Sequence, residues 1–249
     1  MEIRNIPEYE LARLREKAKE IKGATTDYEK EYTQLLTRRL NHEPLQYIEE
    51  YVPFYTIQLK VDQRCLIPRP ETEFLIELIK ENSKNPKNIL DIGTGSGCIA
   101  LMMKALFPSA EVTGIDVSQD ALSIAIENAQ LNSLAVNFYQ SDLLDNVDAQ
   151  NIDLIVANLP YIPEEKLAGL DKEVIDYEPI KALNGGVDGL EVISKLIDQI
   201  ENKHLENLML CLEIDSTKSG QTLDLFSNWE EVKLYKDLAE KDRYVFARR

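Results

Sequence analysis

The stretch Asn158-Leu159-Pro160-Tyr161 closes the apolar run IDLIVA, and a second proline, Pro163, follows at once. Strands commonly end on short turns, so at its plainest the tetrapeptide is a rigid turn. It also suits a particular chemistry. A planar amide or exocyclic amine nitrogen is a poor nucleophile because its lone pair is delocalised, so a site that uses it must hold the NH2 group by both hydrogens. Two acceptors are required. The side-chain oxygen of Asn158 is one and the backbone carbonyl of Leu159 the other, because Pro160 confines Leu159 to extended conformations and fixes where that carbonyl points. Tyr161 offers a flat ring that stacks on a planar group and excludes water. Holding the reacting atoms in line at about 3 to 3.5 Å then does most of the work, without an obvious strong base.

A second constellation is the loop Asp91-Ile92-Gly93-Thr94-Gly95-Ser96-Gly97. Its glycines let the backbone approach a ligand where a side chain would clash. A nicotinamide loop would show GxGxxG, and a phosphate loop would end in GK[ST]. Here the glycines are spaced two apart with an acid two residues ahead, the first-strand signature of enzymes that bind S-adenosylmethionine (SAM); a glycine turn without a ligand is the structural alternative. Asp91, Gly93, Thr94, Gly95, Ser96 and Gly97 are therefore expected at the cofactor. Asp116, about twenty residues on at the end of EVTGID, is the expected partner of ribose hydroxyls, since a carboxylate accepts from both. Its alternative is to start the next helix, a task for which Ser118 is a candidate. Asp142 and Leu143, in SDLLD, are expected at the adenine, with Leu143 packed on the ring; ordinary loop chemistry is the alternative there.

These residues need a frame. From residue 88 strands alternate with helices: NILDI, CIALMMKALF, EVTGID, SQDALSIAIENAQLN, AVNFYQ, IDLIVA, LEVISKLIDQIENK. That rhythm predicts an α/β fold, a doubly wound, mostly parallel, seven-stranded Rossmann-like sheet with helices on both faces. LMLCLEI, EVKLYKD and RYVFARR break the rhythm and favour a terminal antiparallel strand. Ligands of such sheets bind outside the carboxyl ends of the strands, so Asn158, the glycine loop and Asp116 should share one edge. Upstream, apolar residues at helical spacing over 7–40 predict two helices, separated by Gly23 and the capping candidates Thr25, Thr26 and Asp27. Residues 54–67 alternate apolar and polar among several prolines, which suggests a hairpin and linker. The expected division is a helical N-terminal subdomain at 1–52, a hairpin and linker at 53–70, and the SAM-dependent domain at 71–249.

The chain carries 44 acidic against 28 basic residues, a formal net charge of -16. Such a surface repels phosphate backbones, so a protein or small molecule is the expected substrate and no direct nucleic-acid partner is expected. No signal-peptide profile or apolar run of membrane length is present, so a cytoplasmic protein without membrane contact is expected. Three scattered cysteines and two distant histidines show neither disulfide nor metal-ligand spacing; no metal is expected.

Four motifs, in order and spacing, carry a likeness: LIPRPETE (66–73), DIGTGSGCIAL (91–101), ANLPYI (157–162) and EPIKALNGGVDGL (178–190). Together they resemble the peptide chain release factor N5-glutamine methyltransferases, the HemK or PrmC family, and RRLNHEPLQYI (38–48) and DLAEKDRYVFAR (237–248) extend the likeness. The resemblance implies a class I methyltransferase fold and methyl transfer from SAM to the glutamine of the GGQ loop in class I release factors 1 and 2, by a protein expected to be a monomer. It implies that Asn158, Leu159, Pro160 and Tyr161 hold the glutamine and that Arg69, Pro70, Glu71 and Thr72 lie beside the mouth of the site, with Pro70 and Glu71 expected to meet the substrate, unless the stretch only begins a helix. Two departures stand out. Leu159 replaces the first proline of the usual NPPY, and EID with Lys218 replaces the family's EIG and glutamine, with Glu213 assigned to the sheet edge. Rival readings are an adenine-N6 DNA methyltransferase, a glutamine methyltransferase of a ribosomal protein, and a non-catalytic SAM-binding relative.

Overall fold

The computed structural model describes residues 6–23 and 27–249. Thr25 and Thr26 lie outside the described residues, and Asp27 stands at the start of the second helix. Helices α1 (Glu8–Lys22) and α2 (Tyr28–Leu40) pack through Leu14, Ala18 and Leu35, joined by Leu45 and Ile48 of a short helix α3 (Leu45–Glu49). The turn of α3 was not expected; Pro44 precedes it, and its buried Leu45, Tyr47 and Ile48 rather than propensity hold it in place.

The hairpin sits earlier than its alternating sequence suggested. Strands β1 (Tyr51–Phe54) and β2 (Ile57–Lys60) pair antiparallel about the two residues Tyr55 and Thr56. The alternation expected over 54–67 does not continue the ladder beyond Lys60, because other groups hold the residues that follow. Arg64 donates to Asp62, Ser123 and Glu127, and the backbone N–H of Ile67 donates to Glu178 at 3.2 Å. Helix α4 (Pro70–Asn82) then begins with proline at its first position, where the missing N–H costs nothing.

The large sheet contains β3 (Asn88–Ile92), β4 (Glu111–Asp116), β5 (Asn137–Gln140), β6 (Leu154–Asn158), β7 (Met209–Glu213), β8 (Glu231–Lys236) and β9 (Asp242–Arg248). Its order is β5-β4-β3-β6-β7-β9-β8. The first five strands in that row run parallel, while β9 lies antiparallel to both neighbours. The doubly wound, seven-stranded prediction holds. Glu213, however, is not at a sheet edge: β7 is flanked by β6 and β9, and only those partners reveal its interior position.

Strand residues alternate between two cores, as the pleat dictates. Ile89, Val112, Leu154 and Val156 face one core with the hairpin and with α4 and α5 (Cys98–Leu106). Leu90, Ile115, Ile155 and Ala157 face the other, where Ile193, Leu196, Ile197 and Ile200 form the apolar stripe of helix α9. Helix α6 (Gln119–Leu131) follows β4; short helices α7 (Glu164–Leu167) and α8 (Lys172–Ile175) precede α9 (Glu191–Asn202), and α10 (Ser219–Asp224) follows β7. Chain order runs outward from β3 in one direction and from β6 in the other, so the switch point lies between these two strands. Among the described residues no helix is long and apolar enough to cross a membrane.

Candidate active site

A cavity of about 480 Å³ opens at the switch point, within the size range of small-molecule sites. The ends of β3, β4 and β6 bring Gly93, Gly95, Asp116, Asn158, Leu159 and Pro160 to its wall, with Asp142 and Leu143 beside them. The sequence readings for these eight residues meet in one place.

The glycine loop works in two layers. Gly93 has φ +71°, and a Cβ there would stand 3.2 Å from Leu159 Cδ2, so the loop and the tetrapeptide are in van der Waals contact. Asp91, Thr94 and Ser96 are buried beneath the loop and, with Gly97, lie outside the cavity wall. Asp91 Oδ2 accepts from Thr94 Oγ1 at 2.6 Å and from the Ala100 N–H at 3.0 Å, tying the loop to the first turn of α5. Its Oδ1 has no partner, and burial pushes the carboxyl up to about 7. Asp91 shapes the loop from below.

Asp116 does two jobs. Its Oδ1 accepts from Ser118 N–H and its Oδ2 from Gly95 N–H, both at 2.9 Å, while Ser118 Oγ caps α6 by accepting from Ala121 N–H. Asp116 also lines the cavity, where a carboxylate can accept further donors. Burial raises the Asp116 pKa, with the backbone donors opposing. Asp142 spends one oxygen on Lys195 Nζ at 2.5 Å at the exposed rim. Leu143 is buried and offers an apolar face.

Of the opposite wall, the sequence offers only the Glu178-Pro179 step, either as a cover over the site or as a connecting turn. Gln63, Arg64, Cys65 and Leu66 come from the linker, and Pro179 to Ala182, including a short 3-10 turn, come from the segment after the tetrapeptide. The two are pinned together by Glu178, which takes Arg69 Nη2 at 2.5 Å and the Ile67 N–H.

Asn158 ends β6 with its Nδ2 3.1 Å from Thr72 Oγ1, and Thr72 Oγ1 lies 2.9 Å from Glu213 Oε2. Tyr161 Oη donates to Glu213 Oε1 at 3.4 Å. Burial raises the Glu213 pKa, opposed by the Thr72 hydrogen bond. From the PETE motif it is thus Thr72 that reaches the tetrapeptide. Pro70 and Glu71 are exposed in the first turn of α4 and do not line the cavity. Among the described residues no group donates to the carbonyl of Leu159, while the Leu159 side chain is buried in the α9-side core.

The Asn184-Gly185-Gly186 loop is the back support of the tetrapeptide. Ile162 N–H donates to Leu183 O and Gly185 N–H to Ile162 O. A Cβ on Gly185 would stand 2.7 Å from Tyr161 Cα and 2.8 Å from Pro160 O, so only glycine permits this approach. Gly185→Ala should displace Pro160 and Tyr161 and lower methyl-transfer turnover by about tenfold or more with a loss of about 1–3 kcal/mol in stability; urea unfolding alongside single-turnover rates checks both. Wild-type behaviour in both assays would show that the support is dispensable.

Comparison with known proteins places this geometry. The Methyltransferase small domain family matches residues 70–176. A release factor glutamine methyltransferase of Thermodesulfovibrio yellowstonii is 40% identical over 218 residues, covering 85% of this chain and 78% of that protein. One of the same name from Lactococcus lactis subsp. lactis is 40% identical over 227 residues, covering 88% and 83%. The crystal structure of a methyltransferase from Pyrococcus furiosus superposes with a TM-score of 0.59 at 18% identity, covering 86% of this chain and 97% of that one, a likeness of fold.

Proposed function

The chain belongs to the release factor glutamine methyltransferase family, and from that premise we propose that it methylates the side-chain amide nitrogen, N5, of the glutamine in the GGQ loop of release factors 1 and 2, with SAM as donor. The observation that carries the reading is the meeting of Asn158 and the free Leu159 carbonyl with the glycine loop across one cavity. The residues present fit SAM. Side-chain-free walls at Gly93 and Gly95, the Asp116 carboxylate and an apolar face at Leu143 match an aminoacyl chain, a ribose and a flat base.

SAM supplies an electrophilic methyl group on a sulfonium. Asp116 accepts from the ribose hydroxyls, and Leu143 packs on the adenine. Asn158 Oδ1 and the Leu159 carbonyl accept the two amide hydrogens of the glutamine and hold its nitrogen in line, with Tyr161 flanking. The linker wall at 63–66 and the turn at 179–182 exclude water. The nitrogen lone pair forms the new N–C bond as the C–S bond breaks toward sulfur, and the nitrogen releases one proton to solvent. Because the charge balance is so acidic, a DNA substrate is disfavoured.

The test is transfer of labelled methyl to purified release factors 1 and 2, each wild type and with the GGQ glutamine replaced by alanine. Label is expected in the wild-type factors alone. Label in the alanine variants, or none in either factor despite SAM binding, would overturn the assignment.

A further inference from the structure

An amide at the end of β6 can face its substrate with either oxygen or NH2, and only the oxygen serves to hold a substrate NH2. The neighbours of Asn158 decide which. Glu213, at the end of β7, is 2% exposed, and among the described residues it has no ion pair; Arg243, whose charge acts on it, is engaged by Asp237 at 3.1 Å. Each of its carboxylate oxygens instead meets a hydroxyl, Thr72 Oγ1 and Tyr161 Oη. While Glu213 is ionised it only accepts, and the single hydroxyl proton of Thr72 then points at Glu213. That leaves Thr72 Oγ1 as an acceptor toward Asn158, 3.1 Å away, and an acceptor there requires the NH2 side of the amide.

We propose that Thr72 and Glu213 are positioning residues that lock the Asn158 amide with its oxygen toward the substrate, making the site an acceptor pair that selects a primary amide. The inference rests on the reading of Asn158 given above. It explains a buried charge that packing does not require: Glu213 sets the direction of a three-member hydrogen-bond chain running Asn158 to Thr72 to Glu213. A neutral apolar residue there would leave the Thr72 hydroxyl free to donate to Asn158 Oδ1 and turn the amide around.

The test compares Thr72→Val, which keeps shape and loses the hydroxyl, with Thr72→Ser, which keeps the hydroxyl. Thr72→Val should lower kcat for release-factor methylation by about 10- to 100-fold with little change in KM or in the Kd for SAM, and Thr72→Ser should recover most of the loss. Equal rates in all three proteins, or a Thr72→Ser variant as slow as Thr72→Val, would overturn the proposal. A second measurement needs no substrate: in the 15N-labelled protein the Asn158 side-chain NH2 should exchange slowly with water in the wild type and faster in Thr72→Val and Glu213→Leu. Equally fast exchange in the wild type would refute the locked orientation. Failure of the wild type to label any release factor would instead strike the substrate assignment and leave the exchange result standing.

Discussion

Asn158→Ala should reduce methyl transfer to the release factor by about 10²- to 10³-fold, or about 3–4 kcal/mol of transition-state stabilisation, while leaving SAM affinity within about threefold. The size of the effect follows from how little else can do its work. A primary amide needs two acceptors to be aimed, and alanine leaves only the Leu159 carbonyl. SAM affinity should persist because the glycine loop and Asp116 are held by contacts that do not involve the Asn158 side chain. Single-turnover transfer of labelled methyl, paired with calorimetric titration of SAM, separates the two effects. A transfer rate equal to wild type would remove Asn158 from the chemistry, and loss of SAM binding would reassign it to the cofactor.

The second large effect is on stability. The ligand-free protein should lose several kcal/mol of unfolding free energy as pH rises from 3.8 to about 7. Asp91 is fully buried, and its carboxyl is raised from 3.8 to about 7, mainly by burial. Between those values the folded state holds a proton that the unfolded state has lost. Stability therefore falls as pH rises through that window, and a rise of about three pKa units corresponds to about 4 kcal/mol. Asp116 and Glu213, both raised by burial, act in the same direction. Asp62, Glu127 and Asp237 are lowered by their partners, so the stability they contribute is lost only at strongly acid pH, as it falls through their folded values. Asp91→Asn keeps an acceptor for Thr94 Oγ1 and the Ala100 N–H, so urea unfolding across the pH range should show most of the slope gone. A slope as steep as wild type would mean that Asp91 is not the group responsible.

What the sequence disclosed was whatever depends on near neighbours in the chain. The glycine loop, Asp116 and the tetrapeptide are short strand-end motifs, and the sheet's strand-helix rhythm sets them on one edge. The rest depends on distant partners. Thr72 and Glu213 meet across 141 positions, and Glu178 reaches Ile67 across 111. No local pattern marks such pairs, so the resemblance brings the whole stretch from Arg69 to Thr72 to the mouth of the site without showing that Thr72 is the residue that makes the contact. Residues 63–66 fall within the stretch expected as hairpin and linker yet serve as a cavity wall, because the chain beyond Lys60 finds side chains rather than a continued ladder to bond. Asp91 looked like a ligand because it precedes the glycines by two; its burial, visible only in three dimensions, makes it the loop's anchor.

The strand order carries a further consequence for how the molecule is assembled. Strand β9 inserts between β7 and β8, both of which precede it in the chain. Until β9 arrives, β7 presents an open edge, and β8 has no partner through which to join the sheet. Strand β9 is therefore the link through which β8 is held to the rest of the sheet. Tyr244 enters with that strand, pairs with Glu213 in the ladder and donates its hydroxyl to the Glu71 carbonyl at the start of α4. The surroundings of the buried carboxylate thus depend on the strand that closes the antiparallel side of the sheet, so a competent site is a sign that the whole sheet has closed.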